Sequence, residues 1–101
     1  MATTMPQHLR ALERANEIRL ARCQRKRDVL AGETTVADLL REMPSEIEGM
    51  RVYDLLAAQR WWGRVKTRKL MLAAQVSDSK TIGSLTDRQR GVLIAMLERR
   101  S

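Results

Sequence analysis

Phenylalanine is absent from these 101 residues; tyrosine, histidine and cysteine occur once each and tryptophan twice. A single cysteine excludes an intrachain disulfide and any zinc site built from several thiolates, and it suits a reducing cytoplasm. His8 is the only imidazole and lies near the start of the chain, so neither a histidine triad nor a histidine-based metal site is expected. Cys23 sits among arginines, which favour a thiolate. A half-buried packing role is the simpler expectation for it. The acidic residues between 32 and 58 lack the alternation around a glycine that a calcium loop needs, and neither a P-loop nor a dinucleotide fingerprint is present. Nothing here suggests an enzyme, a cofactor, a metal or a small-molecule substrate. The longest apolar run, residues 70–74, is far too short to span a membrane. The opening M-A-T-T-M-P lacks the apolar core of a signal peptide. A cytoplasmic protein without membrane association is expected.

Only five glycines and two prolines interrupt the chain, and no β-type alternation is visible. The expected fold is all-α. A first helix begins near Thr4–Pro6, where Thr can cap and Pro suits the first turn, and it runs to Gly32. Its arginines surround it and its leucines form no single stripe, so it should pack over part of its length and project as an arm over the rest. A short helix follows from residue 35 or 36 to 42, with Thr35 as cap, Asp38 in its first turn and Pro44 closing it. Residues 45–50 form an irregular turn. A third helix over 52–59 offers Val52, Leu55 and Leu56 to the core. A fourth over 64–75 offers Val65, Leu72 and Val76. Residues 76–84 read as a polar connection. The last helix opens on Thr86-Asp87-Arg88-Gln89, a capping box, and carries Val92, Leu93, Met96 and Leu97 as its apolar stripe. This divides the chain into a basic arm, 1–32, and a compact helical domain, 33–101. With no phenylalanine available, at least one tryptophan is expected in the core.

The charge is +7, from 19 Lys+Arg and 12 Asp+Glu. It is distributed unevenly: residues 1–31 carry net +4, residues 32–58 net −4, and residues 59–101 net +7. Two basic lobes flanking an acidic middle point to directed surfaces for a polyanion. Residues 60–69, R-W-W-G-R-V-K-T-R-K, hold both tryptophans and five of the basic residues. Gly63 stands at a helix entrance, where the first amides lack helical partners and the dipole favours phosphate. Arg64 and Lys66 can add charged contacts there, with Arg68 and Lys69 behind them. The competing reading makes the tryptophans core anchors and the cations a solvated face. Arg88 and Arg90 lie in the first turn of the last helix, where the dipole disfavours cations, so a nearby anion would account for them. Arg25-Lys26-Arg27 is a candidate further phosphate contact on the first helix.

The chain resembles the actinobacterial integration host factor family. The resemblance extends from about residue 10 to the end. It is carried by Gly49-Met50-Arg51-Val52 running into Leu55-Leu56, by Gly63-Arg64-Val65-Lys66, and by Leu85-Thr86-Asp87-Arg88-Gln89-Arg90, in matching order and separation. It implies a long N-terminal helix and a helix-two-turns-helix element like that of a small-subunit ribosomal protein. It also implies a nucleoid-associated protein that binds and bends duplex DNA with little sequence preference and assists phage site-specific recombination. By that similarity Gly63, Arg64, Val65 and Lys66 hold the backbone of one DNA segment, and the loop before the last helix meets a minor groove on another. The chain departs from its relatives in three places. Lys80-Thr81-Ile82-Gly83 stands where they carry several arginines, Arg60 replaces a proline, and the tryptophan pair is unusual. Such divergence suits a phage-encoded member.

The expected function is therefore non-enzymatic, architectural binding of double-stranded DNA by a monomer, with a phage integrase as a candidate partner on the DNA. The contacts would come from Gly63, Arg64, Val65, Lys66, Arg68 and Lys69, from Lys80, Arg88 and Arg90, and from Arg25 and Arg27. An RNA-binding helical module is the alternative. A module binding an acidic protein through Trp61 and Trp62 is the third reading.

Overall fold

The computed structural model describes residues 7–99, which form five α-helices and no strand. The expected start of the first helix at Thr4–Pro6 lies outside these residues, as does Arg100. Helix α1 is Gln7–Ala31, about 37 Å long at 1.5 Å per residue. Gly32, at φ +81°, ends it, with the Gly32 amide donating to the Val29 carbonyl and the Glu33 amide to that of Asp28. Residues 7–20 are exposed all round. Only Val29 is buried, with Ala21, Arg22, Arg25 and Asp28 half-buried along the same face. The helix is thus docked over residues 21–31 and exposed over residues 7–20, as its mixed pattern of leucine and arginine suggests. Cys23 is exposed on it, which corrects the half-buried role expected for that residue.

Helix α2, Val36–Glu42, begins where expected: Thr35 Oγ1 accepts from the Asp38 amide at 3.0 Å. It closes through Met43 in a left-handed conformation, one residue before Pro44. One 3₁₀ turn, Ser45–Ile47, then buries Ile47 completely. Helix α3 is Val52–Ala57 and helix α4 is Arg64–Ala73, each two residues shorter than expected. Helix α5, Asp87–Arg99, is preceded by the predicted box: the Gln89 amide donates to Thr86 Oγ1 and the Thr86 amide to Gln89 Oε1, both at 3.1 Å.

Val36, Leu39 and Leu40 of α2 pack with Leu93 of α5. Val52, Leu55 and Leu56 of α3 meet Leu70 and Met71 of α4. The core is aliphatic, and its aromatic rings, Tyr53 and Trp62, sit only at the rim. On α4 the expectation is corrected. Val65 and Leu72 are 67% and 80% exposed, whereas Thr67, Leu70, Met71 and Ala74 are buried at helical spacing. Three consecutive apolar residues, Leu70 to Leu72, cannot all face one side of a helix that turns 100° per residue. Thr67 fits the inward face because its hydroxyl donates to the Gly63 carbonyl at 2.9 Å, leaving no unpaired polar group inside. Val76 is buried as expected.

The connection before α5 is more ordered than its polar composition suggests. Residues 48–52 and 80–83 run antiparallel: the Val52 amide donates to the Lys80 carbonyl at 2.9 Å, and those of Ile82 and Gly83 donate to Met50 and Glu48 at 2.8 Å. A 3₁₀ turn, Ile82–Ser84, buries Ile82. The start of α3 is thereby tied to the entrance of α5.

Candidate nucleic-acid interface

The turn from α3 into α4 carries the site. The Trp62 amide donates to the Gln59 carbonyl at 3.2 Å, closing a turn that passes through Trp61 at φ +69°. Gly63 is the N-cap of α4, with φ −87° and ψ −178°, and no side chain caps the helix. The first helical bond runs from the Thr67 amide to the Gly63 carbonyl. The preceding amides of the first turn therefore point outward without acceptors among the described residues. An added Cβ at Gly63 would meet nothing within 4 Å, and its dihedrals suit any residue. The fold itself thus does not require glycine here, and the bare backbone leaves room for something to approach from outside.

Gly63, Arg64, Val65, Lys66 and Lys69 line one open hollow over this helix end. Lys66 folds back so that its Nζ lies 4.7 Å from the centre of the half-buried Trp62 ring, which fixes the cation's direction. Arg68 shares the outer face of α4 with Leu72 and borders a second hollow with Val76 and Asp78. None of Arg64, Lys66, Arg68 and Lys69 is paired with a carboxylate among the described residues. Four cations beside a helix N-terminus, with no internal counter-charge, form a surface suited to a polyanion.

The other candidate residues are placed differently. Arg27 lies close to the turn: with Lys26, Leu30, Arg60 and Trp61 it borders a hollow between the end of α1 and the α3–α4 turn. Arg25 instead donates from Nε to Glu46 Oε1 at 2.7 Å, while Arg22 Nε donates to the Glu46 carbonyl at 2.7 Å. That clasp docks α1 onto the 3₁₀ turn. It also holds the Glu46 carboxyl below its ordinary range, first through the Arg25 hydrogen bond and then through a backbone hydrogen bond. Arg88 is exposed and lines a hollow with Ala73, Gln75, Thr86, Gln89 and Val92, at the far end of α4. Ten helical residues separate this region from Gly63, about 15 Å along the axis. Arg90 is turned onto Asp87 at 3.2 Å, which offsets the dipole penalty within its own helix. Lys80 is half-buried, with its carbonyl in the pairing of the two connections. Across from Thr81 stands Arg51, an exposed cation outside the expected contact set. The chain pairing that brings it beside Lys80 is long-range and leaves no local sequence signal. Lys26, part of the cationic run on α1, comes beside the turn through the docking of that helix, whereas Arg60 belongs to the turn itself.

Among the described residues no His, Cys, Asp and Glu group could hold a metal ion, and no helix is long and apolar enough to cross a membrane.

Comparison with known proteins bears on the family and the fold. No family model matches the chain. The integration host factor of Mycobacterium tuberculosis is 33% identical over 93 residues, covering 90% of this chain and 89% of that protein. The solved structure of sIHF bound to an 8 bp palindromic DNA superposes with a TM-score of 0.73 at 24% identity, over 87% of this chain and 97% of the other. At that identity the superposition speaks for the fold. With the identity to the mycobacterial protein running along nearly the whole of both chains, this protein belongs to the integration host factor family of the Mycobacterium tuberculosis type.

Proposed function

We propose that this chain is a non-enzymatic, architectural DNA-binding protein that holds the duplex backbone at the N-terminus of α4. One observation carries the reading: the uncapped first turn of α4 opens beside Gly63 into a hollow lined by Arg64, Lys66 and Lys69. Backbone amides, helix dipole and side-chain cations converge there on one anion. Contacts of this kind fix position without reading bases, so binding is expected to show little sequence preference. That the superposed sIHF was solved on DNA, and that the mycobacterial relative is an integration host factor, supports duplex DNA as the partner.

Arg68 and Lys69 extend the grip along α4, and Arg27 extends it from α1. Arg88, at the far end of α4 and about 15 Å from Gly63 along its axis, belongs to a second contact region, with Arg90 available once it leaves Asp87. Lys80 adds a cation beside the start of α3. Two separated contact regions on a rigid body suit bending or compaction of DNA, and through it assistance to a phage integrase. In this reading the protein acts as a monomer at the nucleoid. Competition decides between nucleic acids: a labelled short duplex, bound in a gel-shift assay, is challenged with unlabelled duplex and with a structured RNA. Displacement by duplex at lower concentration supports the proposal. Preferential displacement by RNA would transfer the surface to RNA.

A further inference from the structure

Trp61 is the most exposed large apolar side chain among those described, at 88%, and its backbone is held at φ +69°, where bulky residues are strained. Neither property serves the fold. The adjacent Trp62 supplies the contact with the core, and glycine would fit the turn without strain. A chain that keeps a large ring outside, on a strained backbone, gains from it only when something covers the ring.

The surroundings indicate what covers it. Arg60 precedes it in the turn, and Lys26 and Arg27 share its hollow. None of these three cations is paired with a carboxylate among the described residues, and aromatics interleaved with cations are a common means of holding nucleic acid through its bases. Two residue steps separate Trp61 from Gly63, a reach of at most about 7 Å, or about two nucleotide steps at 3.4 Å per strand. A backbone held at the start of α4 therefore brings its neighbouring bases within range of the ring.

We propose that Trp61 is a base-stacking site: its indole covers a nucleobase that is unpaired or unstacked, next to the phosphates held by α4. The inference rests on the duplex grip proposed above and adds to it a preference for distorted DNA. Stacking on one face of an opened step would also stabilise a bend at that step.

The test compares wild type with Trp61→Gly, a variant whose backbone accepts the left-handed turn, so that it keeps its fold. Each is titrated with a fully paired short duplex and with the same duplex carrying one unpaired thymine. Wild-type tryptophan emission falls on binding the interrupted duplex, and the fall is absent in Trp61→Gly. The variant loses about ten-fold in affinity for the interrupted duplex, at the low end of what base–aromatic stacking contributes. It loses less on the paired one, and the salt dependence is unchanged because no phosphate contact has been removed. Trp61→Phe restores most of the loss. Salt-dependent binding that persists with equal affinities and equal emission changes in wild type and variant overturns the stacking and leaves the grip standing. Failure of both duplexes to bind at low salt overturns both readings.

Discussion

Lys66 Nζ stands 4.7 Å from the centre of the Trp62 ring, and this contact joins the candidate interface to the core. Trp62 packs its other atoms against the aliphatic interior while its ring seats a cation of the first helical turn. Trp62→Ala removes both supports. Because the ring is only half-buried, it is expected to cost about 2 kcal/mol of folding stability, less than full burial would imply. Duplex affinity should also fall, as Lys66 loses its orientation. Trp62→Phe keeps an aromatic face and should recover most of both losses. Denaturant unfolding and gel shifts on the two variants measure this, and Ala and Phe variants of equal affinity would show that the ring does not orient Lys66.

The clasp between α1 and the 3₁₀ turn has a pH signature. Arg25 lowers the Glu46 pKa below its ordinary value of 4.5, chiefly by its hydrogen bond. A carboxyl whose folded pKa is depressed contributes stability that is fully present above its unfolded pKa. The contribution is lost as pH falls below 4.5 and through the folded value. Thermal midpoints between pH 7 and pH 3 should therefore decline more steeply in wild type than in Glu46→Gln. Parallel curves would mean that the ion pair adds nothing to docking of the arm.

Glycine substitutions separate binding from folding. An alanine Cβ at Gly83 would lie 3.0 Å from Glu48 Cβ and from its carbonyl oxygen, so Gly83→Ala must pry apart the paired connections. About 1–2 kcal/mol of destabilisation is expected, in the range for overpacking. At Gly49 the obstacle is only the end of the Arg22 side chain, which can move, and the penalty should be smaller. Gly63→Ala meets no neighbour and should fold nearly as wild type, losing under about 1 kcal/mol through the poorer N-cap. Its added methyl stands where a phosphate would approach, so duplex affinity should drop. A Gly63→Ala protein that binds as wild type would argue against close backbone approach.

Trp61→Gly has a stability consequence apart from its effect on binding. Relief of the left-handed strain is worth about 1–2 kcal/mol, partly offset by the greater freedom of glycine in the unfolded chain. The thermal midpoint should stay level or rise, although a tryptophan has been deleted. A clear fall would show that Trp61 supports the fold after all.

Much of this architecture is legible in the sequence because its signals are local. Thr35 with Asp38, Thr86 with Gln89, and Gly32 after Ala31 mark helix ends by chemistry confined to a few residues. The three family segments place the α4 turn and the entrance of α5. What escapes is non-local. The outward turn of Val65 and Leu72 follows from which face α3 and α5 cover, and from a threonine whose buried hydroxyl finds its acceptor one turn back. The pairing of residues 48–52 with 80–83 joins segments thirty residues apart and shows no strand pattern. For the same reason Arg25, indistinguishable from Arg27 as one of a run of cations, is a docking residue, while Arg27 reaches the hollow beside Trp61.

The most direct measurement is duplex affinity across a salt series for wild type and for Arg64→Ala combined with Lys66→Ala. Each phosphate neutralised contributes about −0.9 to the slope of log affinity against log salt, so four contacts from α4 give a slope of about −3.5 or steeper. Removing two of them should reduce its magnitude by about 2 and weaken binding to unrelated duplex sequences about equally. A wild-type slope near zero, or a double variant with an unchanged slope, would contradict the assignment of the α4 N-terminus as the phosphate grip.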